Sequence, residues 1–280
     1  MSIFKNLKPN VSRHNDYKLF GAVMGVSGSG KSSCCGTMPG RILWLYSEAW
    51  EAHGPTYALG RTGKNNSITA VNLQRHPDTD ETLSLDGQLG LLREILENVE
   101  EVKANFDSVV IDGLTTVEYI YANSDECQMA CVTKTGAKDQ WAVFRKTAEF
   151  FNELYITLNT LNGAGLHVIT TCLGSHTVDD TGVTLFKPKL AGVGVVESFL
   201  AKLPDRLLAI RSKEGKFSFN LRESIEKGSE FKVVDCSPRL FPLTADEIPE
   251  SISPDFSKAL MLKNGEAVFN VDTQKVEVHK

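Results

Sequence analysis

One short segment combines glycines, a lysine and hydroxyl residues at a spacing suited to phosphate. Gly25, Gly30, Lys31 and Ser32 match the pattern G-x-x-x-x-G-K-[ST] in full, after an apolar run and before a predicted helix. Glycines let the backbone approach a phosphate closely, and exposed N–H groups and the helix dipole favour its charge. The sequence therefore predicts a nucleotide-binding loop. Its members are Gly25, Val26, Ser27, Gly28, Ser29, Gly30, Lys31, Ser32 and Ser33.

The remaining parts of a hydrolytic site can be assigned by residue type and position. We expect Lys31 to reach the β- and γ-phosphates of ATP and Ser32 to hold Mg²⁺ through its hydroxyl. Asp112 ends the apolar segment "SVVID" and is the second expected contributor to the magnesium site. Glu48 directly follows "RILWLYS" and is the candidate that activates water, with Glu51 as its competitor.

These residues need a scaffold, and the apolar pattern predicts one. Short apolar runs indicate strands at residues 19–24, 41–46, 106–113, 166–173 and 205–212, with a further candidate at 67–74. Helical segments separate several of these strands, which favours an α/β fold with a mainly parallel sheet. Carboxyl ends of parallel strands share one edge, so we expect Glu48 and Asp112 to lie near the glycine-rich loop.

Two longer segments show helical periodicity. One helix is predicted over about residues 83–104 and another over 139–161. The apolar positions of the first are Leu85, Leu89, Leu92, Leu96 and Val99; those of the second are Trp141, Phe144, Phe151, Leu154, Tyr155 and Leu158. We interpret the second, aromatic stripe as core rather than as a platform for stacking bases.

The pattern changes after residue 214. Segments 216–223 and 230–236 alternate polar and apolar residues and predict a hairpin, followed by a tail of short elements. The expected organisation is an N-terminal segment at 1–17, a core at 18–214, and a small β or mixed appendage at 215–280 that packs on the core.

The composition is that of an ordinary globular protein, with 41% hydrophobic and 23% charged residues. No apolar run approaches the length of a membrane span, and the first residues lack the apolar centre of a secretion signal. The six cysteines are scattered, which indicates reduced thiols, and Cys127 and Cys131 lack the partners of a metal site. We therefore expect a cytoplasmic protein without membrane contact.

Charge is unevenly distributed along a chain whose net charge is −5. Residues 78–107 carry nine acids and two bases, whereas residues 187–216 carry seven bases and three acids. A polyanion would therefore bind the second segment, although charge runs are more often simply solvated surface.

The order of these motifs resembles the RecA-like ATPase core. The resemblance covers about residues 18–213: the glycine-rich loop, Glu48 after the next strand, "VVIDGLTTV" at Asp112 and a strand at residues 168–172. More narrowly, the chain is similar to small phage-encoded RecA-like proteins of the single-strand annealing or recombination type. That resemblance implies ATP hydrolysis with Mg²⁺, a homo-oligomeric ring or filament, single-stranded DNA as substrate, and replication or recombination proteins as partners.

The resemblance also points to residues that sense nucleotide or touch DNA. RecA carries a γ-phosphate-sensing glutamine at the end of its fourth strand, where this chain has Thr171 and Cys172. Loops after the third and fourth strands, here residues 124–138 and 174–194, are expected to face DNA. Their basic candidates for contact with the DNA backbone are Lys134, Lys138, Lys187 and Lys189.

Two other classes of function remain open on the sequence. A nucleotide-bound structural or assembly protein is consistent with the absence of the glutamine sensor. A small-molecule kinase is consistent with "GVSGSGKS", although no arginine-rich lid is evident.

Overall fold

The computed structural model describes most of the chain up to residue 220 and short segments beyond it. The described residues are 18–48, 54, 68–132, 136–178, 184–190, 193–211, 214–220, 225–226, 229–233, 251–252, 255–256, 260–261, 267–270 and 275–278. The strands are β1 Phe20–Gly25, β2 Ile42–Tyr46, β3 Ile68–Asn72, β4 Ser108–Asp112, β5 His167–Val178, β6 Thr184–Pro188, β7 Asp205–Arg211, β8 Phe217–Asn220, β9 Ile225–Glu226, β10 Ser229–Val233, β11 Ser251–Ile252, β12 Ala267–Asn270 and β13 Lys275–Val278. The helices are α1 Lys31–Cys35, α2 Leu85–Glu97, α3 Val99–Asn105, α4 Leu114–Asn123, α5 Asp125–Ala130, α6 Gln140–Gly163 and α7 Val193–Ser198, with a 3₁₀ turn at Leu200–Lys202.

Six strands form an all-parallel central sheet in the order β7-β1-β5-β4-β2-β3. Helices cover both faces of this sheet. The predicted α/β class, with a mainly parallel sheet flanked by helices, is therefore confirmed. Strand β5 lies between β1, which leads into the glycine-rich loop, and β4, which ends in Asp112.

Alternation along the strands divides the interior into two hydrophobic cores. Val109 and Ile111 of β4 belong to the larger core under α2, α4 and α6, whereas Val110 belongs to a smaller core on the opposite face. Cys34 and Cys35 of α1 are buried in that smaller core as free thiols. The two cysteines that follow the glycine-rich loop therefore anchor α1 on the sheet.

The helix predicted over residues 83–104 is broken. Helix α2 begins after Ser84, whose hydroxyl accepts a hydrogen bond from the Gly87 N–H, and α3 begins after Asn98. Asn98 has φ −82° and ψ 61°, outside the helical region. The periodic spacing of apolar residues continues across this break because both helices bury residues in the same core. The spacing alone therefore did not reveal the break.

The aromatic stripe of α6 is only partly core. Phe151, Leu154 and Leu158 are buried, as predicted, but Trp141 is 82% exposed and Phe144 is 38% exposed. The prediction that the whole stripe is core is therefore wrong. The ring of Phe199 packs edge-to-face on Phe151, with ring centres 5.5 Å apart. The first turn of α6 extends beyond Phe199 and is therefore not covered by it.

The predicted C-terminal hairpin is also wrong, because its two segments pair elsewhere. Strand β8 is antiparallel to β7 and to β11, while β10 pairs with β6 and β9. The chain reverses directly after β7, with Gly215 at φ 81°, so β8 occupies the free edge of β7. Further on, Phe256 is fully buried in the smaller core, and its N–H donates to Thr37 Oγ1 at 2.8 Å.

Among the helices that the structure describes, none is both long and apolar enough to cross a membrane.

Candidate active site at the carboxyl edge of the sheet

The loop between β1 and α1 depends on glycine at several positions. Gly28 and Gly30 have left-handed φ angles of 75° and 88°, and the Ser29 N–H closes a turn on the Val26 carbonyl at 3.2 Å. A methyl group at Gly25 would overlap the Ser29 hydroxyl. The sequence pattern therefore corresponds to a backbone that side chains at these positions would disturb.

Lys31 folds back over this loop. Its Nζ donates to the carbonyls of Gly25 at 3.0 Å and Val26 at 2.9 Å. Burial lowers the pKa of the Lys31 amine, and the nearby charge of Asp112 opposes that effect. A bound phosphate would favour the charged amine further, which makes this lysine suited to an anion.

Asp112, at the end of β4, is joined to helix α1 and strand β5 through one carboxylate oxygen. Its Oδ1 accepts hydrogen bonds from Ser32 Oγ at 3.1 Å and Thr171 Oγ1 at 2.6 Å. The Gly113 N–H donates in turn to Thr171 Oγ1 at 2.9 Å. Thr171 of β5 thus bridges the end of β4, a role for which the sequence has no motif.

The other oxygen of Asp112 is buried and has no hydrogen bond of good geometry among the described residues. Asp112 is 2% exposed, and the indole N–H of Trp44, which also lacks a hydrogen bond of good geometry, interacts favourably with its carboxylate. Burial raises the pKa of the Asp112 carboxyl, while the bonds from Thr171 and Ser32 and the charge of Lys31 oppose the rise. A cation beside Asp112 would relieve this cost of burying a carboxylate.

Ser32 and Asp112 offer oxygen ligands, the kind that magnesium prefers. Within the described residues there is no cluster of three or more His, Cys, Asp or Glu side chains. Magnesium typically takes only one or two protein ligands and completes its shell with water and phosphate oxygens. Ser32 and Asp112 can supply that minimal set.

Glu48 lies at the same edge. It stands two residues after β2, and its Oε1 accepts a short hydrogen bond from Thr116 Oγ1 in the first turn of α4. This hydrogen bond orients the Glu48 carboxylate. The position of Glu48 in the sequence predicted only that it lies at the carboxyl edge of the sheet. Its competitor, Glu51, lies outside the described residues.

These side chains surround a single cavity of about 370 Å³. Its predicted lining residues are Ser27, Gly28, Gly30, Lys31, Ser32, Ser33, Glu48, Asp112 and Thr171. Those that the sequence did not suggest are Gly54, Gly113, Thr115, Thr116, Leu173 and Phe217. Gly25, Val26, Ser29 and Cys172 belong to the loop or strands behind the lining. The volume is within the usual range for small-ligand sites.

The two residues proposed as nucleotide sensors differ in position. Thr171 lines the cavity and bonds to Asp112, whereas Cys172 is fully buried behind it. Burial raises the pKa of the Cys172 thiol to about 12, so the thiol stays neutral near pH 7. Of the pair, only Thr171 can respond directly to a ligand in the cavity.

Phe217 enters the site from a strand far along the chain. A methyl group at Gly30 would lie 2.7 Å from Phe217 Cδ1, so the ring packs directly on the glycine-rich loop. The guanidinium carbon of Arg211 stands 5.4 Å from the centre of the same ring. The alternation of residues 216–223 predicted a strand here, but its pairing with β7 is what brings the ring to the loop.

The predicted DNA-contacting loops contain regular structure. Residues 124–138 include helix α5, and much of 174–194 is an antiparallel ribbon in which Ser175 of β5 pairs with Lys187 of β6. Lys138 and Lys189 are exposed. For Lys187 only the backbone is described, and Lys134 lies outside the described residues.

The described basic side chains of residues 187–216 differ in their surroundings. Arg206 is 7% exposed within β7, and Lys202 donates to Asn152 Oδ1 at 2.6 Å beside the ring of Tyr155. Lys189 is exposed, and its N–H donates to the carbonyl of Leu173, which lines the cavity. The number of basic residues in this sequence interval therefore did not predict where the described basic side chains lie in the folded protein.

Replacing Thr171 with valine tests its link to Asp112. We expect Thr171→Val to lower the free energy of unfolding by about 1–3 kcal/mol, because a buried carboxylate and the Gly113 N–H each lose a partner. It should also raise the Mg²⁺ concentration that half-saturates the protein. Thr170→Val is the matched control, since its hydroxyl bonds instead to the Gly21 carbonyl at 3.3 Å. Denaturant titration and Mg²⁺ titration measure the two effects; an unchanged Mg²⁺ requirement in Thr171→Val would contradict the link.

No known protein-family model matches the chain, and no curated protein sequence matches it. The geometry of this site is therefore the basis for inferring a function.

Proposed function

We propose that this chain is a Mg²⁺-dependent ATPase with a RecA-like P-loop core. The observation that carries the proposal is that Lys31, Ser32, Asp112 and Glu48 line one cavity although they come from three separate stretches of the sequence. A chance glycine-rich turn would not require a lysine, a hydroxyl and two carboxylates to converge.

Each side chain takes a role that its surroundings support. Lys31, held over the loop, binds the β- and γ-phosphates. Ser32 and Asp112 would hold Mg²⁺, which when bound would neutralise charge that develops on the phosphates. Thr171, which also lines the cavity, keeps Asp112 oriented. Among the described residues Ser32 and Asp112 are the two ligands proposed, and phosphate oxygens and water would supply the others.

Glu48 directs the hydrolytic step. Its carboxylate, oriented by Thr116, positions a water molecule and accepts a proton from it as the water oxygen bonds to the γ-phosphorus. The bond from that phosphorus to the bridging oxygen of ADP breaks, so the products are ADP and inorganic phosphate. The roles of Glu48 and of the phosphate-binding groups are thus separable by mutation.

The wider setting follows from the resemblance. We propose single-stranded DNA as the substrate on which the ATPase acts, in phage replication or recombination, with a homo-oligomeric ring or filament as the working form. Exposed Lys138 and Lys189 support contact with a phosphate backbone. The five described cysteines are free and buried, which suits a reducing cytoplasm.

The decisive experiment measures phosphate release from ATP with and without single-stranded DNA. We expect turnover that requires Mg²⁺ and that increases when single-stranded DNA is added. Transfer of the γ-phosphate to a metabolite instead of water would identify a kinase. Nucleotide-dependent assembly without turnover, seen by mass measurement, would identify a structural protein.

A further inference from the structure

An exposed apolar surface lies outside the candidate active site. We call Met129, Val132, Trp141 and Phe144 the Trp141 surface. Their exposed fractions are 76%, 53%, 82% and 38%, whereas most large apolar residues of the described chain are buried. Contact between water and a large apolar side chain such as that of Trp141 is unfavourable. Exposed apolar patches therefore usually mark interaction sites.

The surrounding backbone holds Trp141 in place. Val132 and Lys138 form an antiparallel bridge, and the Asp139 N–H donates to the Cys131 carbonyl at 2.9 Å. Asp139 then caps α6, because its Oδ1 accepts from the Trp141 N–H at 3.0 Å. The indole therefore projects from a capped helix end rather than from an unsupported loop.

The ring of Trp141 remains open to a planar ligand. Its nearest aromatic neighbour, Phe144, lies 6.2 Å away between ring centres at an interplanar angle of 68°. An edge-to-face neighbour can cover at most one face of the indole. Another planar group can therefore stack on the other face.

Cations flank this surface. Arg145 lies one helical turn after Trp141, and Lys138 lies just before the helix; neither forms an ion pair in the part of the chain that the structure describes. The carboxylate of Asp139 is engaged in capping the helix. Open aromatic rings between unpaired cations are the chemistry by which proteins bind single strands, with bases on the rings and phosphates on the cations.

The Trp141 surface also lies toward the active-site edge of the sheet. At its far end α6 reaches the beginning of the strands, because Asn162 Nδ2 donates to the carbonyls of Leu19 and Leu166. With 24 residues, the helix is about 36 Å long, so its first turn is at the opposite, carboxyl edge. The cavity of Lys31 and Asp112 opens at that same edge.

We propose that the Trp141 surface binds single-stranded DNA, with a base stacked on Trp141 and phosphates beside Lys138 and Arg145. This inference rests on the proposed function, for which it names the surface that contacts the substrate.

Binding of labelled oligo-dT at low salt tests the inference. Trp141→Ala should weaken binding by about 10- to 100-fold, because one base loses its stacking partner. Trp141→Phe should retain most of the affinity, since it keeps an aromatic face. Ile156→Ala is the matched control: Ile156 is 55% exposed on the same helix, about 22 Å further along, and its loss should change nothing.

The contribution of charge is measured in the same binding assay, and the fold of each variant is checked separately. Arg145→Ala should reduce the slope of log affinity against log salt by about 0.7, the value for one phosphate contact on a single strand. Circular dichroism of each variant verifies that the helices are intact, which the exposure of these side chains leads us to expect.

The outcomes separate this inference from the proposed function. If the unmodified chain binds oligo-dT and Trp141→Ala binds it equally well, the Trp141 surface is not the contact, while DNA binding itself stands. If the unmodified chain does not bind oligo-dT at all, both the inference and the DNA part of the function are wrong. If Trp141→Ala breaks an oligomer apart and leaves DNA affinity unchanged, the surface is an interface between copies and the inference is overturned.

Discussion

Replacing Glu48 with glutamine is expected to slow ATP hydrolysis by about 10²- to 10⁴-fold, the usual contribution of a general base. The affinity for ATP should stay within about twofold, because glutamine keeps the size of the side chain and can still accept the Thr116 hydrogen bond. Single-turnover phosphate release measures the first quantity, and equilibrium titration with ATP measures the second.

The matched control for this variant is Glu97→Gln, an exposed carboxylate on α2 outside the cavity. It should hydrolyse ATP at the normal rate. If Glu48→Gln still turns over ATP, then Glu51 or another group activates the water, and the role given to the Glu48–Thr116 pair is wrong.

Replacing Lys31 with alanine is expected to weaken ATP binding on the order of 100-fold or more. The variant leaves the phosphates without the cation that Lys31 holds over the loop, a loss comparable to truncating one member of a buried charge pair. Calorimetric titration with a non-hydrolysable ATP analogue and Mg²⁺ is the appropriate measurement.

A second substitution keeps this test informative if the alanine variant folds poorly. Lys31→Met retains the length and packing of the side chain and removes only its charge. Both variants should bind nucleotide weakly, whereas Lys103→Ala, which removes an exposed lysine on α3, should bind normally. Normal ATP affinity in a folded Lys31→Met protein would exclude the proposed phosphate contact.

Much of the candidate site could be predicted because its determinants are local or follow from sheet direction. Gly28 and Gly30 adopt left-handed angles within one short loop, and the pattern of glycines already specifies such a loop. Glu48 and Asp112 are far apart in sequence, but each directly follows or ends a strand. Because parallel strands share a carboxyl edge, their meeting could be anticipated without knowing the order of the strands.

The sequence predictions were wrong where burial or pairing depends on which helix or strand covers another. Helical spacing assigned Phe144 and Phe151 to one face of α6, yet only Phe151 is covered by Phe199. Alternation identified strands near residues 217 and 231 but not their partners, since a strand edge can pair with any free neighbour.

By itself, the sequence determined the conformation of the glycine-rich loop, the α/β class and the edge of the sheet at which the acids lie. Those features follow from backbone sterics at glycine and from the period of apolar residues, which act over a few residues. Only the tertiary structure decided that Thr171 bonds to Asp112, that Phe217 packs on Gly30, and that Trp141 is left in solvent. Each of these features depends on which surfaces pack together after folding. The spacing of residue types along the chain does not specify that packing.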